Sequence, residues 1–396
     1  MTVRLLTIAT RLPETAIAQD DVAELFAEQP GMTRLGSRLV RTAFSGAGVR
    51  TRHTVLAELG AEARDAGDGE PITAHFLDPV TRELGSPATA ARNAIYTAEA
   101  SRLFVDTARA ALDDVAPTVT AADVTHVITV SCTGFFAPGP DVRVAKDLGL
   151  PADVTRLHLG FMGCNAAFPA LRTAHAYCAE DPDAVVLVVC VELCTLHLHV
   201  RNDPNTVMGN ALFADGAAAA VVTAREPVAG PGARASDAAP ALELVDFETT
   251  LAPVGEGELA WSIGDEGFEM ILGTYVPRII DDHVTDALAP LLRRAGLAAD
   301  AIPLWAVHPG GRSILDKVES RLGLTEQQMA PSREVLADAG NMSSATILFV
   351  LDRLRRSGAT GTVAALAFGP GLSIESALLA LRPSDDAPGQ NRGAGA

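Results

Sequence analysis

The sequence has no apolar run long enough to cross a membrane, few cysteines and a shortage of positive charge. None of its apolar runs approaches the roughly 18 residues that a membrane-spanning helix needs. The N-terminal stretch MTVRLLTIATRLPE meets Arg4 and Arg11 around a short apolar run, so it lacks the order of a secretion signal. These absences predict a cytoplasmic protein that does not enter a membrane.

Negative charge dominates the chain. Its 396 residues include 31 lysines and arginines against 49 aspartates and glutamates, a formal net charge of −18. General binding to nucleic acid phosphates is therefore not expected. The content of 48% hydrophobic and 20% charged residues is that of a compact globular protein.

The five cysteines form no C-x-x-C pair. An odd number in a chain of this length argues against a disulfide framework and favours free thiols in a reducing compartment. Cys190 and Cys194 lie in an apolar, strand-like run without a second pair of ligands, so no metal site is predicted. A reactive thiol is the remaining possibility of interest.

Short apolar runs alternate with segments of helical length. Buried strands are predicted at 3–9, 127–130, 185–191, 217–222, 242–247, 304–307 and 363–368. Helices are predicted at 91–115, 166–179, 275–295, 313–321 and 343–357. This alternation is typical of an α/β fold, in which helices cover sheets of buried strands.

Residues 226–240 interrupt the pattern with proline, glycine and small polar residues, which predicts a surface linker. The linker would separate an N-terminal half, residues 1–225, from a C-terminal half, residues 241–382. Both halves contain strand and helix runs of similar order, which indicates an internal duplication. Residues 383–396 have no apolar face to bury and are predicted to be a disordered tail.

The segment GFMGCNAAFPALRT surrounds Cys164. Small residues follow the cysteine, and Pro169 falls where the first turn of a helix tolerates proline. Cys164 is thus predicted at a helix N-terminus, where unpaired N–H groups and the helix dipole stabilise a thiolate nucleophile. A buried, unreactive thiol is the alternative. Cys132 and Cys194 end strand-like runs and are candidates for lining a pocket.

A thiolate nucleophile usually needs a base or an ion-pair partner, and His308 is the best placed of the nine histidines. It ends the strand run LWAVH and precedes a Pro-Gly-Gly turn, so we expect it at a strand tip. Asn341 follows a glycine shortly before a predicted helix. It is either a cap or turn residue, or an amide that donates to a developing oxyanion, and sequence order leaves both open.

Four segments together resemble the type III polyketide synthases, the chalcone synthase-like branch of the thiolase superfamily. They are GFMGCNAAFPAL with Cys164, WAVHPGGRSILDKVE with His308, GNMSSATILFVLDRL with Asn341, and the closing AFGPGLSIESALL. The resemblance extends from about residue 3 to residue 382. Four motifs in the family's order are far more specific than any one of them.

The resemblance implies a duplicated thiolase fold of five layers, αβαβα, in a homodimer with one active site per subunit. It also implies the chemistry: an acyl-CoA starter loads Cys164, malonyl-CoA loses carbon dioxide, and the enolate attacks the acyl thioester. His308 would hold Cys164 as a thiolate and would join Asn341 in donating hydrogen bonds to the thioester oxygen. On this scheme coenzyme A thioesters are the substrates and no cofactor is needed.

Phe213 falls on the family's gatekeeping phenylalanine, and Met270 takes the place of the second gatekeeper of the plant enzymes. Another position of the expected pocket carries Ser343, a serine that the plant enzymes share. Four more pocket positions carry residues that the plant enzymes lack there: Cys132, Cys194, His197 and Trp261. Chalcone formation is therefore not expected, and the mostly apolar replacements favour an aliphatic starter with an alkylpyrone or alkylresorcinol-like product.

An acidic protein that binds coenzyme A must present local positive charge to its phosphates. Arg38, Arg41, Arg50 and Arg52 fall where the family places its basic contacts to coenzyme A. A solvated basic face without a ligand is the alternative for each of them.

Two other functions remain to be distinguished. An initiating ketoacyl synthase of fatty acid synthesis shares the fold and the Cys, His and Asn set, but accepts malonyl groups on acyl carrier protein. A catalytically silent thiolase-fold partner subunit is the second, and retention of all three polar residues argues against it.

Overall fold

The computed structural model describes residues 1–60, 76–78, 80–225 and 240–382. The predicted linker, except Pro240, and the predicted tail lie outside the described residues. Strands and helices alternate through the described ranges, so the predicted α/β class is confirmed.

The strands of the N-terminal half are β1 (Arg4–Arg11), β2 (Thr15–Ala18), β3 (Thr51–Thr54), β4 (His126–Ser131), β5 (Thr155–Gly160), β6 (Val185–Leu193) and β7 (Asp215–Thr223). Its helices are α1 (Gln19–Ala27), α2 (Arg34–Gly46), α3 (Thr89–Val115), α4 (Pro140–Asp147), α5 (Ala167–Glu180) and α6 (Pro204–Leu212).

The strands of the C-terminal half are β8 (Leu242–Leu251), β9 (Leu259–Gly264), β10 (Gly267–Leu272), β11 (Leu304–Val307), β12 (Gly361–Gly369) and β13 (Ser373–Leu381). Its helices are α7 (Val276–Ala295), α8 (Arg312–Leu322), α9 (Glu326–Ala339) and α10 (Thr346–Arg356). Strands β9 and β10 form a separate hairpin.

The main sheet has the strand order β11-β12-β13-β8-β1-β7-β6-β4-β5. Its halves meet where β1 pairs with β8, through Arg4 with Glu243 and Leu5 with Leu242. Outward from this junction each half repeats one pattern. The inner strand, β1 or β8, pairs antiparallel with β7 or β13, which in turn pairs antiparallel with β6 or β12. That strand pairs parallel with β4 or β11. The predicted internal duplication is thereby confirmed.

Five layers result from this arrangement. Helix α3 packs outside β1, β6 and β7, and helix α7 packs outside β8 and β13. Between the half-sheets lie α5, which contacts strands of both halves, and α10, which contacts β1, β7 and β11. The αβαβα order expected from the resemblance is confirmed.

The central strands form because their side chains are buried on both faces. All nine residues of β6 and all nine of β7 are buried, which is typical of strands covered by helices on both sides. Because β4 and β6 are parallel, as are β11 and β12, the loops that follow each pair leave the sheet at the same edge. Sites in α/β folds are commonly built from such loops.

Candidate active site

Cys164 lies in the turn that leads from β5 into α5. Helix α5 begins at Ala167, so the cysteine stands directly before the helix, close to the predicted place. Gly163 has a φ of 79°, and a Cβ at this position would collide with the ring of Pro370. Only glycine satisfies both conditions easily. The cysteine turn of the N-terminal half is thus packed against the C-terminal half.

Asn341 is held by hydrogen bonds at both its backbone and its side chain. Its N–H donates to the carbonyl of Leu212 at 2.9 Å, which links the end of α9 to the end of α6. Its side-chain Oδ1 accepts from the backbone N–H of Ser343 at 2.9 Å. The side-chain oxygen and nitrogen of Asn341 both lie 3.9 Å from the Sγ of Cys164. Because the oxygen already accepts from Ser343, the nitrogen is the group left to donate.

His308 follows the last residue of β11, at the predicted strand tip. Its backbone N–H donates to the carbonyl of Leu366 on β12 at 2.8 Å. The imidazole is buried, and neither ring nitrogen has a hydrogen-bond partner among the residues that the structure describes. The turn after it packs Gly311 against Leu212, the residue whose carbonyl holds Asn341. The three predicted catalytic residues thus sit on loops that are packed on one another.

Burial dominates the electrostatics of this centre. It raises the pKa of the Cys164 thiol to about 11, against hydrogen bonds from Ser343 and Asn341 that lower it. It lowers the pKa of His308 to about 3. In this geometry burial favours the neutral form of both groups.

Cys132 and Ser343 lie beside Cys164. The Sγ of Cys132 is 3.4 Å from the Oγ of Ser343, and both residues are buried. Ser343 has a φ of 47°, a left-handed conformation that is uncommon outside glycine. Strain of this kind persists where surrounding contacts impose it, and it often marks functional sites.

A buried carboxylate behind these residues was not among the predicted site residues. Glu192, near the end of β6, accepts hydrogen bonds from the backbone N–H of Cys132 at 3.0 Å and from the hydroxyl of Thr133 at 2.9 Å. The hydroxyl of Ser344 also donates to it. Burial raises the pKa of this carboxyl. The available signal in the sequence was a single acid in the apolar run VVLVVCVEL.

A cavity of about 170 Å³ lies next to this centre. It is lined by five of the predicted pocket residues: Phe213, Met270, Cys194, His197 and Trp261. Cys164, His308 and Asn341 do not line it, but the backbone of Phe213 pairs with that of Asn341 in an isolated bridge. Phe213 therefore lies between the cavity and the group formed by Cys164, His308 and Asn341. The other two predicted pocket residues, Cys132 and Ser343, lie with that group and do not line the cavity.

The exposed face of α2 is basic. Arg38 and Arg41 line a shallow surface depression together with Arg34, Thr42 and Ser45. No ion pair joins these three guanidiniums to any part of the chain that is described. They are free to meet an anion at the surface.

The other two predicted arginines behave differently. Arg50 is exposed and forms an ion pair with Asp338 at 2.6 Å. Arg52 is only 1% exposed, and its Nη1 donates to the carbonyls of Asn210 and Phe213. Burial lowers its pKa to about 10, so it stays charged at neutral pH. The prediction that Arg52 contacts coenzyme A is wrong: its guanidinium is buried and holds the backbone at Asn210 and Phe213.

The described ranges contain no cluster of three or more histidine, cysteine or acidic side chains placed to hold a metal ion. None of their helices has the length and apolar character to cross a membrane.

Family models match nearly the whole chain. The N-terminal domain of chalcone and stilbene synthases matches residues 2–227, and the C-terminal domain matches residues 243–382. Type III polyketide synthase 21 of Oryza sativa subsp. japonica is 32% identical over 387 residues, covering 95% of this chain and 92% of the relative. The α-pyrone synthesis polyketide synthase-like protein Pks18 of Mycobacterium tuberculosis is 32% identical over 381 residues, covering 94% and 89%.

Solved structures agree with these relatives. A polyketide synthase of the brown alga Ectocarpus siliculosus superposes with a TM-score of 0.86 at 28% identity, over 96% of this chain and 98% of the other. For 1,3,6,8-tetrahydroxynaphthalene synthase of Streptomyces coelicolor A3(2) the TM-score is 0.81 at 27% identity, over 96% and 99%. The chain belongs to the chalcone and stilbene synthase family and is a type III polyketide synthase.

Proposed function

We propose that Cys164, His308 and Asn341 are the catalytic residues, and that the enzyme extends an acyl-CoA starter with malonyl-CoA and cyclises the product. The observation that carries this assignment is the Asn341 side-chain amide, whose nitrogen lies 3.9 Å from the Cys164 sulfur while its oxygen accepts a hydrogen bond from Ser343. A donor fixed in this way can stabilise an oxyanion or enolate as it develops.

The first step is transfer of the starter. His308 accepts the thiol proton of Cys164, and the thiolate attacks the carbonyl carbon of the acyl-CoA. The tetrahedral oxyanion receives hydrogen bonds from Asn341 and from the protonated His308, and coenzyme A leaves as its thiol with the proton that His308 returns. The His308 ring has no competing partner among the described residues, so a ring nitrogen is available to accept the proton.

The second step lengthens the chain. Malonyl-CoA loses carbon dioxide, and the electron pair of the broken bond becomes an enolate whose oxygen accepts hydrogen bonds from Asn341 and His308. The enolate carbon then attacks the acyl group on Cys164, and the thiolate leaves. The poly-β-keto chain passes to coenzyme A and the cycle repeats, so every step uses groups of this chain and two thioester substrates.

We propose an aliphatic starter and an alkylpyrone or alkylresorcinol-like product. Support comes from the residues that line the cavity. Cys194 stands where the plant enzymes have a polar residue, and Met270 stands where they have their second gatekeeping residue. The name of the mycobacterial relative, which refers to α-pyrone synthesis, agrees with this class. The basic face of α2 would receive the coenzyme A phosphates through Arg38 and Arg41.

The route from that face to the cavity is short. Helix α2 begins after Thr33, whose backbone N–H donates to the side chain of Asn202 at 2.9 Å. The neighbouring Arg201 and Asp203 line the cavity. A coenzyme A molecule held on α2 would therefore place its pantetheine arm toward Phe213.

We further propose a homodimer in the cytoplasm, with the two halves divided at the predicted linker. Phe135 and Met162 are large apolar residues that are 40% and 39% exposed. Phe135 stacks on Phe161 with ring centroids 5.1 Å apart, directly before the cysteine turn. A second copy of the chain would cover this surface, and light scattering of purified protein measures its mass.

Mass spectrometry of the products tests the function. Purified enzyme receives malonyl-CoA with short, long-chain or aromatic acyl-CoA starters, beside a Cys164→Ala variant. Products that depend on Cys164 support the assignment, and their masses give the starter and the number of extensions. Turnover of aromatic starters alone would contradict the aliphatic proposal, and dependence on acyl carrier protein would contradict the use of malonyl-CoA.

A further inference from the structure

The position of Asn341 depends on the segment at the end of α6. Its backbone N–H donates to the carbonyl of Leu212, and its own carbonyl accepts from the N–H of Ala214, both at 2.9 Å. Phe213, between these two residues, pairs with Asn341 through an isolated parallel bridge. A shift of residues 212–214 would therefore displace Asn341 as well.

The guanidinium of Arg52 is bonded to this same segment. Its Nη1 donates to the carbonyls of Asn210 at 2.5 Å and Phe213 at 2.9 Å, which lie on either side of Leu212 in the chain. The side chain is buried, and its Nε and Nη2 have no hydrogen-bond partner among the residues that the structure describes. Within the described ranges the hydrogen bonds of this guanidinium thus go only to the segment that holds Asn341.

The chain around Arg52 also contacts the segment that precedes Asn341. The backbone N–H of Arg50 donates at 2.8 Å to the carbonyl of Ala337, in the last turn of α9. Gly340 has a φ of 73°, and a Cβ at this position would come within 3.1 Å of the Cγ of Arg52. The stem of Arg52 therefore packs against the residue directly before Asn341, while its guanidinium holds the segment to which Asn341 is bonded.

Asp215 supplies the negative charge that a buried arginine requires. Burial lowers the pKa of Arg52 to about 10, and the carboxylate of Asp215 opposes this shift. The same carboxylate accepts the backbone N–H groups of Val55 and Thr195 at 2.9 Å and 2.8 Å. An apolar side chain could fill the space of Arg52 without the cost of a buried charge. The charged donor therefore indicates a role beyond packing.

We propose that Arg52 is a positioning residue for decarboxylation, because it fixes the place at which the Asn341 amide meets the enolate. The proposal rests on the proposed function, in which Asn341 stabilises the enolate formed from malonyl-CoA. The hydrogen bond with Ser343 orients the Asn341 side chain, whereas the bonds of Arg52 locate its backbone. Arg52 acts through Asn341 and not on the substrate. A displaced donor loses much of its effect on a developing charge, since that effect depends on preorganised geometry.

Kinetics of Arg52 variants test this role. Methionine has a similar reach but no donor. We expect Arg52→Met to lower kcat for release of carbon dioxide from malonyl-CoA roughly 10-fold, because the Asn341 donor is displaced but still present. The KM for malonyl-CoA should stay unchanged, and starter loading on Cys164 should change by less than about 2-fold. Arg52→Lys keeps a charged donor and should recover part of the lost rate.

A double-mutant cycle with Asn341→Ala separates positioning from general loss of stability. Once Asn341 is alanine, Arg52→Met should lower release of carbon dioxide by less than about 2-fold further, because the group that Arg52 positions is gone. If Arg52→Met does not fold, Arg52→Lys takes its place in the cycle. Full multiplication of the two effects would overturn the proposal. A raised KM for malonyl-CoA with an unchanged kcat would also overturn it, since that result describes a contact to the substrate.

Arg92→Met is the matched control. Arg92 is also 1% exposed, and its Nη1 donates to two backbone carbonyls, those of Leu196 and Leu198, at 2.6 Å and 3.2 Å. Neither carbonyl belongs to the segment that holds Asn341. Whatever loss of rate Arg92→Met causes should therefore multiply with that of Asn341→Ala. A cycle for Arg92 as non-multiplicative as that for Arg52 would overturn a specific role of Arg52.

Hydrogen exchange at the amides of Asn341 and Ala214 provides a readout without turnover. We expect both amides to exchange roughly 5- to 10-fold faster in Arg52→Met, because the segment that carries their hydrogen bonds is released, and at the native rate in Arg92→Met. If the native enzyme releases no carbon dioxide from malonyl-CoA, the proposed function fails while the positioning is still judged by this exchange. Equal exchange in native protein and Arg52→Met would overturn the positioning itself.

Discussion

The two halves of the molecule share one topology but contribute different chemistry. In each half a long helix precedes a strand that lies parallel to its inner neighbour, β4 in the first and β11 in the second. Cys132 follows β4, whereas His308 follows β11. Each half also sends one helix into the middle layer: Cys164 stands before α5, and Asn341 stands before α10.

The duplicated positions therefore hold thiols in the first half and nitrogen groups in the second. The proposed nucleophile comes from one half, and the groups that would move its proton and stabilise its oxyanion come from the other. Contacts such as Gly163 against Pro370, and Asn165 to Ser373 at 2.8 Å, hold the halves together at this point. Duplication therefore supplies the geometry, and divergence supplies the roles.

The largest effect is expected at the thiol of the first half. Cys164→Ala should lower polyketide formation by at least about 10³-fold, because no other group can carry the acyl intermediate. Decarboxylation of malonyl-CoA should persist, since His308 and Asn341 remain. Liquid chromatography with mass detection measures both. Cys178→Ala is the matched control, a buried cysteine at the far end of α5, and loss of product there would show that the effect is not local.

The amide of the second half should matter most for decarboxylation. Asn341→Ala should slow release of carbon dioxide from malonyl-CoA by about 10²-fold, the usual cost of one oxyanion donor. Starter loading, followed by intact-protein mass, should fall less because the thiol and the imidazole remain. An equal loss of decarboxylation and of starter loading in a folded Asn341→Ala variant would contradict the separate roles assigned to the two halves.

The imidazole should change how Cys164 responds to pH. Burial raises the pKa of the thiol to about 11, so the thiolate, which is the form that reacts, becomes more abundant as pH rises toward that value. If His308 accepts the proton, alkylation by iodoacetamide should level off at lower pH in the native enzyme than in His308→Gln. Superimposable profiles would show that the histidine does not assist ionisation.

The smallest effects are expected on the basic face of α2. Arg38→Ala and Arg41→Ala should each raise the KM for malonyl-CoA by roughly 3- to 10-fold, as expected for loss of a hydrogen bond to a charged group, while kcat changes little. Arg50→Ala is the control of equal charge, because Arg50 already pairs with Asp338. A larger rise of KM in Arg50→Ala than in Arg38→Ala or Arg41→Ala would contradict a coenzyme A site on this face.

Much of the fold could be predicted from local patterns. Buried apolar runs gave the inner strands, and the periodic segments gave α3, α5, α7 and α8 to within a few residues. Strand β13 was not predicted because its sequence SIESALLAL is rich in alanine and leucine, which favour helices. It is a strand because β12 and β8 flank it, a long-range influence that propensity does not contain.

The candidate site divides in the same way. The segments around Cys164, His308 and Asn341 carry local signals, and the structure brings their loops together. Glu192 was not predicted and Arg52 was given the wrong role, because their surroundings come from distant parts of the chain. In the sequence Arg52 looks like an exposed arginine. It is buried because α6 and Phe213 pack over it.

The most direct test of the central claim, that groups from both halves form one catalytic centre, is intact-protein and peptide mass spectrometry after brief exposure to an acyl-CoA starter and then to malonyl-CoA. The account predicts an acyl adduct on the Cys164 peptide that malonyl-CoA consumes in the native enzyme and that persists in Asn341→Ala. An adduct on Cys132 or Cys194 instead, or equal consumption in the variant, would contradict it.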